Sequence, residues 1–423
     1  MSNAELTLCV LAVSTVLFAT EVIPLAVTAM GVAIVLGFLD IITPKEVFAG
    51  LSDPTVVLFA GMFVVGAAMF RTGLAKTIGM AIVKRAGTEE KRLMVAMMAV
   101  TIAMSSVSSN TATVACFMPV VIQICVTAGL PVSPQLMALA VAANVGGTIT
   151  MIGTPPNILM SAALHNAEMR PFGFFEFAWI GIPLSVAGIL YMVFVGRKLC
   201  PDRCSRLPGD SGAEEGESAS GKSGKSKICA VILAAVVLAM VFAEQIHVAM
   251  EVSACIGALL CVITGCVTEK QAYEGIDWTT IFLFAGMLPL AKAMEVSGAG
   301  ALIADKVVAF VGGDPSPYAL AAALFLLSCG LTQFMSNTAA AALLAPIGIS
   351  IAQSVGVSPY PVLMAIGIAA SCAFTTPMAT PPNTLVFGPG HFKFMDYVKV
   401  GIPLIVICLL VCLAIIPVVW PFH

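Results

Sequence analysis

Long apolar segments separated by short polar ones follow one another along the whole chain. Each segment is about 15 to 20 residues long, close to the length that a helix needs to cross the hydrocarbon core of a bilayer. The pattern therefore predicts an all-α polytopic membrane protein. Its ten predicted spans lie near residues 5–20, 23–40, 55–72, 134–150, 174–196, 228–244, 250–266, 279–296, 360–376 and 398–420.

The composition supports this prediction. Of the 423 residues, 59% are hydrophobic and 10% are charged, whereas soluble domains are roughly half apolar and a quarter charged. The first apolar segment has neither a basic stretch before it nor a signal-peptidase site after it, so we expect it to remain as a helix. We find no basic patch of the kind that binds nucleic acid, and we predict no nucleic-acid partner.

Four short motifs occur twice, in the same order and at nearly the same offset, which indicates an internal duplication. We divide the chain into a first repeat, residues 1–199, and a second repeat, residues 228–423. Residues 200–227 between them are rich in Gly, Ser and charge and predict a flexible linker. The motifs are LFAGM at Leu58 and Leu283, Ser-Asn-Thr at Ser109 and Ser336, LMA at Leu136 and Leu363, and TPPN at Thr154 and Thr380.

Each repeat also contains one segment that is better explained as a re-entrant hairpin than as a span. These segments are residues 92–126 and 317–354; each arm has about 15 residues, and polar residues lie at the middle. A hairpin returns to the side that it left, so each repeat crosses the membrane five times. Five is odd, and the second repeat must therefore be inverted relative to the first, a common design of secondary transporters.

The basic residues predict the orientation. When the chain is traced through ten spans, most Lys and Arg residues, among them Lys84, Arg92, Arg197 and Lys270, fall on one side. That side is expected to face the cytoplasm. We therefore predict a cell-membrane protein with a cytoplasmic linker and external termini, in which the first hairpin enters from the cytoplasm and the second from outside.

The two hairpin tips and the two TPPN motifs are predicted helix breaks at membrane depth. Such breaks persist only where they are buried in protein or line a cavity. The half-helix that ends there offers carbonyl oxygens to a small cation, and the half-helix that begins there offers N–H groups and a partial positive charge to an anion. The simpler alternative is that Ser-Asn-Thr only caps a helix and that Pro-Pro only kinks one.

The breaks contain no Lys or Arg, so a bound anion requires helix termini and co-bound cations for charge compensation. Coupled transport follows from this requirement. Two N-terminal dipole ends that face each other suit two separated carboxylates, which favours succinate, malate or fumarate over a compact dianion. No catalytic signature such as a nucleophile elbow, H-E-x-x-H or a Walker loop is present. We therefore predict that the protein is not an enzyme and has no organic cofactor.

The motifs resemble those of the divalent anion/sodium symporters, which carry C4-dicarboxylates, citrate or sulfate. The resemblance covers almost the whole chain. It rests on TEVIPLAVTA (20–29), SSNTATVACFMP (108–119), GTPPN (153–157), LTQFMSNTAAAALLAP (331–346) and ATPPN (379–383). It implies a homodimer in the lipid bilayer, with a fixed scaffold and a mobile transport domain that holds the hairpins in an elevator-type mechanism.

The resemblance also implies ligands by position. The first sodium ion is expected to bind Ser105, Ser109, Asn110 and the carbonyl of Gly153, and the second to bind Thr332, the carbonyl of Met335, Asn337 and the carbonyl of Ala379. The substrate carboxylates are expected to contact Ser109, Asn110, Thr111, Thr154, Pro155, Ser336, Asn337, Thr338, Thr380 and Pro381.

Two departures from the family pattern and several alternatives accompany this prediction. Family members commonly have a further helix before TEVIP, and often a Glu at the position of Gln333. On the same fold, the protein is alternatively a dicarboxylate exchanger without sodium coupling, or a citrate or sulfate transporter. The remaining alternatives from other classes are an ion channel and an intramembrane hydrolase.

Overall fold

A computed structural model describes residues 2–20, 22–74, 77, 89–202, 223–300, 302, 316–377 and 379–422, and within these ranges the regular structure is helical throughout. The first half contains α1 (Asn3–Thr20), α2 (Leu25–Phe38), α3 (Pro44–Ala49), α4 (Pro54–Arg71), α5 (Glu90–Ser105), α6 (Asn110–Ala128), α7 (Val132–Gly146), α8 (Pro155–Asn166) and α9 (Ala178–Leu199).

The second half repeats this order, with one short additional helix, α11. It contains α10 (Ser223–Val241), α11 (Ala243–Ile246), α12 (Met250–Ile263), α13 (Glu269–Gly275), α14 (Trp278–Ser297), α15 (Pro317–Thr332), α16 (Asn337–Val355), α17 (Pro359–Ala370), α18 (Pro381–Phe387) and α19 (Phe394–Val419). Residues 223–227, which the sequence assigned to the linker, instead form the first turns of α10. Residues 203–222 of the predicted linker lie outside the described residues.

The glycines of the two LFAGM motifs explain how the halves interlock. Gly61 of α4 packs on Ala254 of α12, where an added Cβ would lie 2.8 Å from the Ala254 carbonyl carbon. Gly286 of α14 packs on Ala29 of α2 in the same way, at 2.4 Å. Such contacts bring two helix backbones into close approach, as small residues do in membrane proteins. Each pair takes one helix from each half, so α1–α4 and α10–α14 form one group of helices.

The remaining helices form a second group. Helices α5 and α6, which form the first predicted hairpin, pack on α7. Helices α15 and α16, which form the second, pack on α17, and α18 packs on α6 and α7. The two groups meet mainly along α14, which packs on α16 and α8. The contact is one-sided, because α4, the counterpart of α14, has no comparable contact with α6 in the part of the chain that the structure describes.

The helix lengths are those of a membrane protein. Six helical segments of the described chain are long and apolar enough to cross a bilayer: 44–71, 178–199, 224–241, 278–297, 337–355 and 394–419. The first arm of each hairpin has 16 residues, near the expected length, but α6 and α16 each have 19. The arms are therefore unequal, and length alone does not distinguish α16 from a span.

Candidate binding site

The four helix breaks meet at one cavity of about 300 Å³. Phe59, Met62 and Phe63, from the middle of α4, line the same cavity, so the breaks lie at the level of the middle of a long apolar helix. The cavity brings together all ten residues that the sequence predicts to contact the substrate, namely Ser109, Asn110, Thr111, Thr154, Pro155, Ser336, Asn337, Thr338, Thr380 and Pro381.

The serines of the hairpin tips cap the helices that follow them. Ser109 accepts a hydrogen bond from the amide of Ala112 at 3.4 Å, and Ser336 accepts one from the amide of Ala339 at 3.1 Å. The capping interpretation is thus correct for these two side chains. Capping leaves the first two amides of α6 and α16 without an intrahelical acceptor. The residues that carry these amides line the cavity, and their N–H groups suit a carboxylate.

The Pro-Pro breaks contribute differently. Helices α8 and α18 each begin with two prolines, which have no N–H to donate. Their N-cap residues, Thr154 and Thr380, are buried, and neither hydroxyl makes a capping hydrogen bond. These helix ends therefore supply a partial positive charge and one hydroxyl each, while the backbone amide donors come from the hairpin tips.

A cluster of oxygen atoms lies behind the first hairpin tip. The Ser105 hydroxyl is within hydrogen-bonding distance of the Asn110 side-chain oxygen and lies 2.8 Å from the Ala143 carbonyl oxygen. A hydroxyl carries one proton and can satisfy only one of these two acceptors at a time. The cluster therefore has more lone pairs than protons, which is the chemistry of a cation site.

Gly147 shapes the first oxygen cluster. A Cβ added at Gly147 would lie 2.8 Å from the Asn110 side-chain oxygen and 3.1 Å from the carbonyl oxygen of Gly153. The close approach of these groups thus depends on the absence of a side chain at Gly147. The Gly153 carbonyl, a predicted sodium ligand, lies near the Asn110 side chain as a result.

The second half repeats the oxygen cluster. The Thr332 hydroxyl lies 2.7 Å from the Asn337 side-chain oxygen and 2.7 Å from the Ala370 carbonyl oxygen. The helix carbonyls of Ala143 and Ala370 were missed by the sequence analysis. Of the other predicted ligands, Ala379 lines the cavity, Met335 is buried within the second tip, and the Ser109 hydroxyl is engaged in capping.

Two buried asparagines hold the unwound backbone between the half-helices. The Asn157 side-chain amide donates to the carbonyls of Gly147 and Thr150, at 3.2 and 2.9 Å. The Asn383 amide donates to the carbonyls of Ala373 and Thr376, at 2.8 and 3.0 Å. These contacts satisfy carbonyls that a broken helix leaves free. The final Asn of each TPPN motif is therefore a structural part of the break.

The last helix of each half also approaches the unwound backbone closely. A Cβ at Gly181 of α9 would lie 2.6 Å from the Thr148 carbonyl oxygen, and a Cβ at Gly401 of α19 would lie 2.5 Å from the Phe374 carbonyl oxygen. Each of these glycines begins a GIPL motif, a repeat that could have been found in the sequence.

Gln333, one of the two departures from the family pattern, forms hydrogen bonds through both polar atoms of its side chain. Its amide nitrogen donates to the carbonyls of Cys329 and Cys372, at 2.8 and 3.1 Å. Its amide oxygen accepts from the backbone N–H and the hydroxyl of Thr375, at 3.0 and 2.6 Å. A neutral amide at this position thus ties the second hairpin to the unwound segment that follows α17, using both donors and its acceptor.

The cavity is nearly free of charged side chains. Among the described residues that line it, Asp277 is the one ionisable side chain, and it caps α14 by accepting from the Thr280 amide at 3.2 Å. A dianion in this cavity would therefore need helix termini and cations in the oxygen clusters to compensate its charge.

Most of the described cysteines are buried. Burial raises the pKa of the Cys200 thiol to about 12, so this thiol stays protonated at neutral pH. Among the described residues, no group of His, Cys, Asp and Glu side chains is arranged to hold a metal ion.

Comparison with known proteins assigns the chain to a family. The citrate transporter family model, CitMHS, matches residues 15–357 and 301–422. An uncharacterized transporter of Haemophilus influenzae is 30% identical over 96% of this chain and 89% of its own length. The sodium-dependent dicarboxylate transporter SdcS of Staphylococcus saprophyticus is 27% identical over 90% of this chain and 79% of its own length.

Solved structures agree on the fold. The Alcanivorax borkumensis YdaH transporter, described as having an unusual topology, aligns with a TM-score of 0.64 at 17% identity, over 96% of this chain and 98% of that chain. Neisseria gonorrhoeae MtrF aligns with the same TM-score at 15% identity, over 99% and 95%. The predicted all-helical membrane fold, the predicted resemblance and the predicted absence of enzymatic function are confirmed. The chain belongs to the citrate transporter family of membrane transport proteins.

Proposed function

We propose that this transporter carries C4-dicarboxylates such as succinate, malate and fumarate, and that sodium ions drive the transport. The observation that carries the proposal is the repeated oxygen cluster, Ser105 with Asn110 and Thr332 with Asn337, placed directly behind a cavity lined by four helix N-termini. The oxygen atoms suit a cation, and the helix termini suit carboxylates. The sodium dependence of the SdcS relatives supports the same assignment.

The cation and anion sites share side chains in this proposal. Asn110 and Asn337 each have their side-chain oxygen in an oxygen cluster, while the residue itself lines the cavity. One side chain thus contacts sodium through its oxygen and faces the substrate through its amide nitrogen and backbone N–H. Because the cavity lacks a cationic side chain among the described residues, sodium binding lowers the cost of placing a dianion there.

The arrangement of the two helix groups supports an elevator-type movement. A second cavity, of about 590 Å³, lies between α3 and α14 of the first group and α8 and α16 of the second. Asp277, at the start of α14, lines the first cavity, and Lys292 and Glu295, near its end, line the second. Movement of the second group along α14 would carry the binding site from one side of the membrane to the other. We further propose inverted repeats with two re-entrant hairpins, a homodimer, a cytoplasmic linker and external termini.

Substrate uptake in proteoliposomes tests the function. The purified protein is reconstituted, and uptake of labelled succinate, citrate and sulfate is measured separately, with an unlabelled dicarboxylate inside the vesicles in a second series. Saturable uptake of succinate that sulfate does not inhibit supports the proposal. Equal inhibition by sulfate and succinate would contradict the substrate assignment, uptake that requires an internal counter-substrate would indicate an exchanger, and non-saturable flux would indicate a channel.

A further inference from the structure

Among the positions at which the two halves of the cavity differ, one is a buried asparagine. Asn144 lies near the end of α7, and the duplication places Ser371, directly after α17, at the corresponding point 227 positions later. Asn144 is 1% exposed and lines the cavity. Neither residue was predicted from the sequence to line the site. Asn144 donates hydrogen bonds to side chains of the other half, whereas Ser371 donates one to a backbone carbonyl of the helix that precedes it.

The orientation of the Asn144 side chain is set by its neighbour. The Asn383 amide nitrogen donates to two backbone carbonyls, of Ala373 and Thr376, and this leaves the Asn383 side-chain oxygen as an acceptor on the other side. That oxygen accepts from the Asn144 amide nitrogen at 3.1 Å. A flipped Asn144 amide would place two acceptors against each other. The nitrogen of Asn144 therefore faces Asn383.

The second hydrogen of the Asn144 amide reaches Thr380. The Asn144 nitrogen lies 3.3 Å from the Thr380 hydroxyl oxygen and donates to it. Thr380 lines the cavity at the start of α18, and its hydroxyl makes no capping hydrogen bond. A hydroxyl has one proton to donate. Because Thr380 accepts from Asn144, its own proton is directed away from Asn144 and is available to an acceptor in the cavity.

The Thr154 end of the cavity lacks this arrangement. The Ser371 hydroxyl donates back along its own helix to the Gly367 carbonyl, at 3.5 Å. The side-chain oxygen of Asn157, the counterpart of Asn383, is buried and has no hydrogen-bond partner among the described residues. Within the described chain, Thr154 therefore receives no side-chain donor equivalent to Asn144.

We propose that Asn144 is a positioning residue that orients the Thr380 hydroxyl as a donor to one carboxylate of the substrate. The two ends of the pseudo-symmetric cavity are then unequal. The Thr380 end holds a carboxylate through an oriented hydroxyl, and the Thr154 end binds the other carboxylate with less selectivity. This inference rests on the proposed dicarboxylate function.

A double-mutant cycle between Asn144 and Thr380 tests the inference. The kinetics of succinate uptake are measured for the wild type, Asn144→Ser, Thr380→Val and the double variant, with Ser371→Ala as the matched control. A hydrogen bond to a charged group corresponds to about 10-fold in affinity. We expect Asn144→Ser to raise the KM by about that factor with little change in kcat, and to have little further effect once Thr380 is Val.

The outcomes separate a positioning role from a structural one. If Asn144→Ser raises the KM equally with Thr or Val at position 380, Asn144 acts through Asn383 alone and the inference is wrong. An unchanged KM for Asn144→Ser also overturns it. If the wild type takes up no dicarboxylate at all, the proposed function fails instead.

A second comparison leaves Asn144 intact and covers the case in which its variants do not fold. Thr380→Val and Thr154→Val remove equivalent hydroxyls from the two ends of the cavity. The inference predicts that Thr380→Val raises the KM about 10-fold, and that Thr154→Val raises it clearly less. Equal effects of the two substitutions would contradict the inequality of the two ends.

Discussion

The hydroxyl of Thr332 lies 2.7 Å from the side-chain oxygen of Asn337, on the opposite side of a hairpin tip. It lies equally close to the carbonyl oxygen of Ala370 in a neighbouring helix. The single hydroxyl proton can be donated to only one of these two acceptors at a time. Ser105 repeats the arrangement in the first half. At this helix break the oxygen acceptors outnumber the protons, and this is the structural feature that supports the proposed sodium site.

Removal of one hydroxyl should weaken sodium binding selectively. Thr332→Val keeps the shape of the side chain but removes an oxygen from the cluster. We expect the sodium concentration for half-maximal uptake to rise about 10-fold. Ser328→Ala is the matched control, because Ser328 lies one turn earlier in α15 and donates to the Ile366 carbonyl of α17 at 2.9 Å, outside the site. Equal sodium requirements for the two variants would refute the assignment of this cluster.

The two hairpin asparagines should couple sodium and substrate. Asn110→Ala or Asn337→Ala is expected to weaken the binding of both ligands, because we propose that each side chain contacts both. By linkage, sodium should raise the affinity for succinate by the same factor as succinate raises the affinity for sodium. Equilibrium binding of each ligand at several concentrations of the other gives both factors. Gln123→Ala, in the second arm of the first hairpin and away from its tip, should leave both affinities nearly unchanged. Asparagine variants that weaken the binding of only one ligand, or a coupling factor of one in the wild type, would contradict the shared role of these side chains.

The close packing around Gly181 should leave no room for a side chain at this position. Gly181→Ala would place a methyl group 2.6 Å from the Thr148 carbonyl oxygen, whereas a methyl group at Gly188 of the same helix would lie 3.8 Å from its nearest neighbour, Val145. We expect Gly181→Ala to cost about 1–3 kcal/mol of stability, with a lower Tm and reduced uptake. Gly188→Ala is expected to retain both properties. A wild-type Tm for Gly181→Ala would mean that α9 does not pack this closely on the unwound segment.

The predicted orientation is accessible to labelling from one side. Lys45 and Lys270 are both exposed, and they belong to α3 and α13, which occupy equivalent positions in the two halves. Inverted repeats place them on opposite sides of the membrane. With Cys9 and Cys204 replaced, Lys45→Cys should react with an impermeant maleimide in intact cells, and Lys270→Cys should react only after permeabilisation. The reverse pattern, or labelling of both in intact cells, would contradict the topology.

The sequence was most informative at the polar motifs that occur in both halves. The Ser-Asn-Thr and TPPN motifs interrupt apolar sequence at matching positions, so their convergence at one cavity could be predicted from the duplication and from the need to bury broken helices. The serines that cap α6 and α16 followed from the same residues. The segment 223–227 was assigned to the linker because its Gly, Ser and Lys composition conceals the first turns of α10.

Residues whose role depends on the other half were not predictable. Asn144 is one polar residue in an apolar helix, and its partners Thr380 and Asn383 come from more than 230 positions away. The Ala143 and Ala370 carbonyls carry no side-chain signal at all. The glycines of the two GIPL motifs could have been found, since the motif occurs at Gly181 and again at Gly401. Their contact with unwound backbone, however, is a property of the packed structure.

Sodium-driven uptake is the central claim, and one measurement tests it most directly. Proteoliposomes that contain the purified protein are loaded with potassium buffer, and uptake of labelled succinate is followed in the absence of a proton gradient. External sodium is compared with potassium or choline at equal ionic strength. The proposal predicts accumulation of succinate above its external concentration with sodium alone. Uptake that is unchanged when potassium or choline replaces sodium would contradict sodium symport and would leave the dicarboxylate exchanger as the better description.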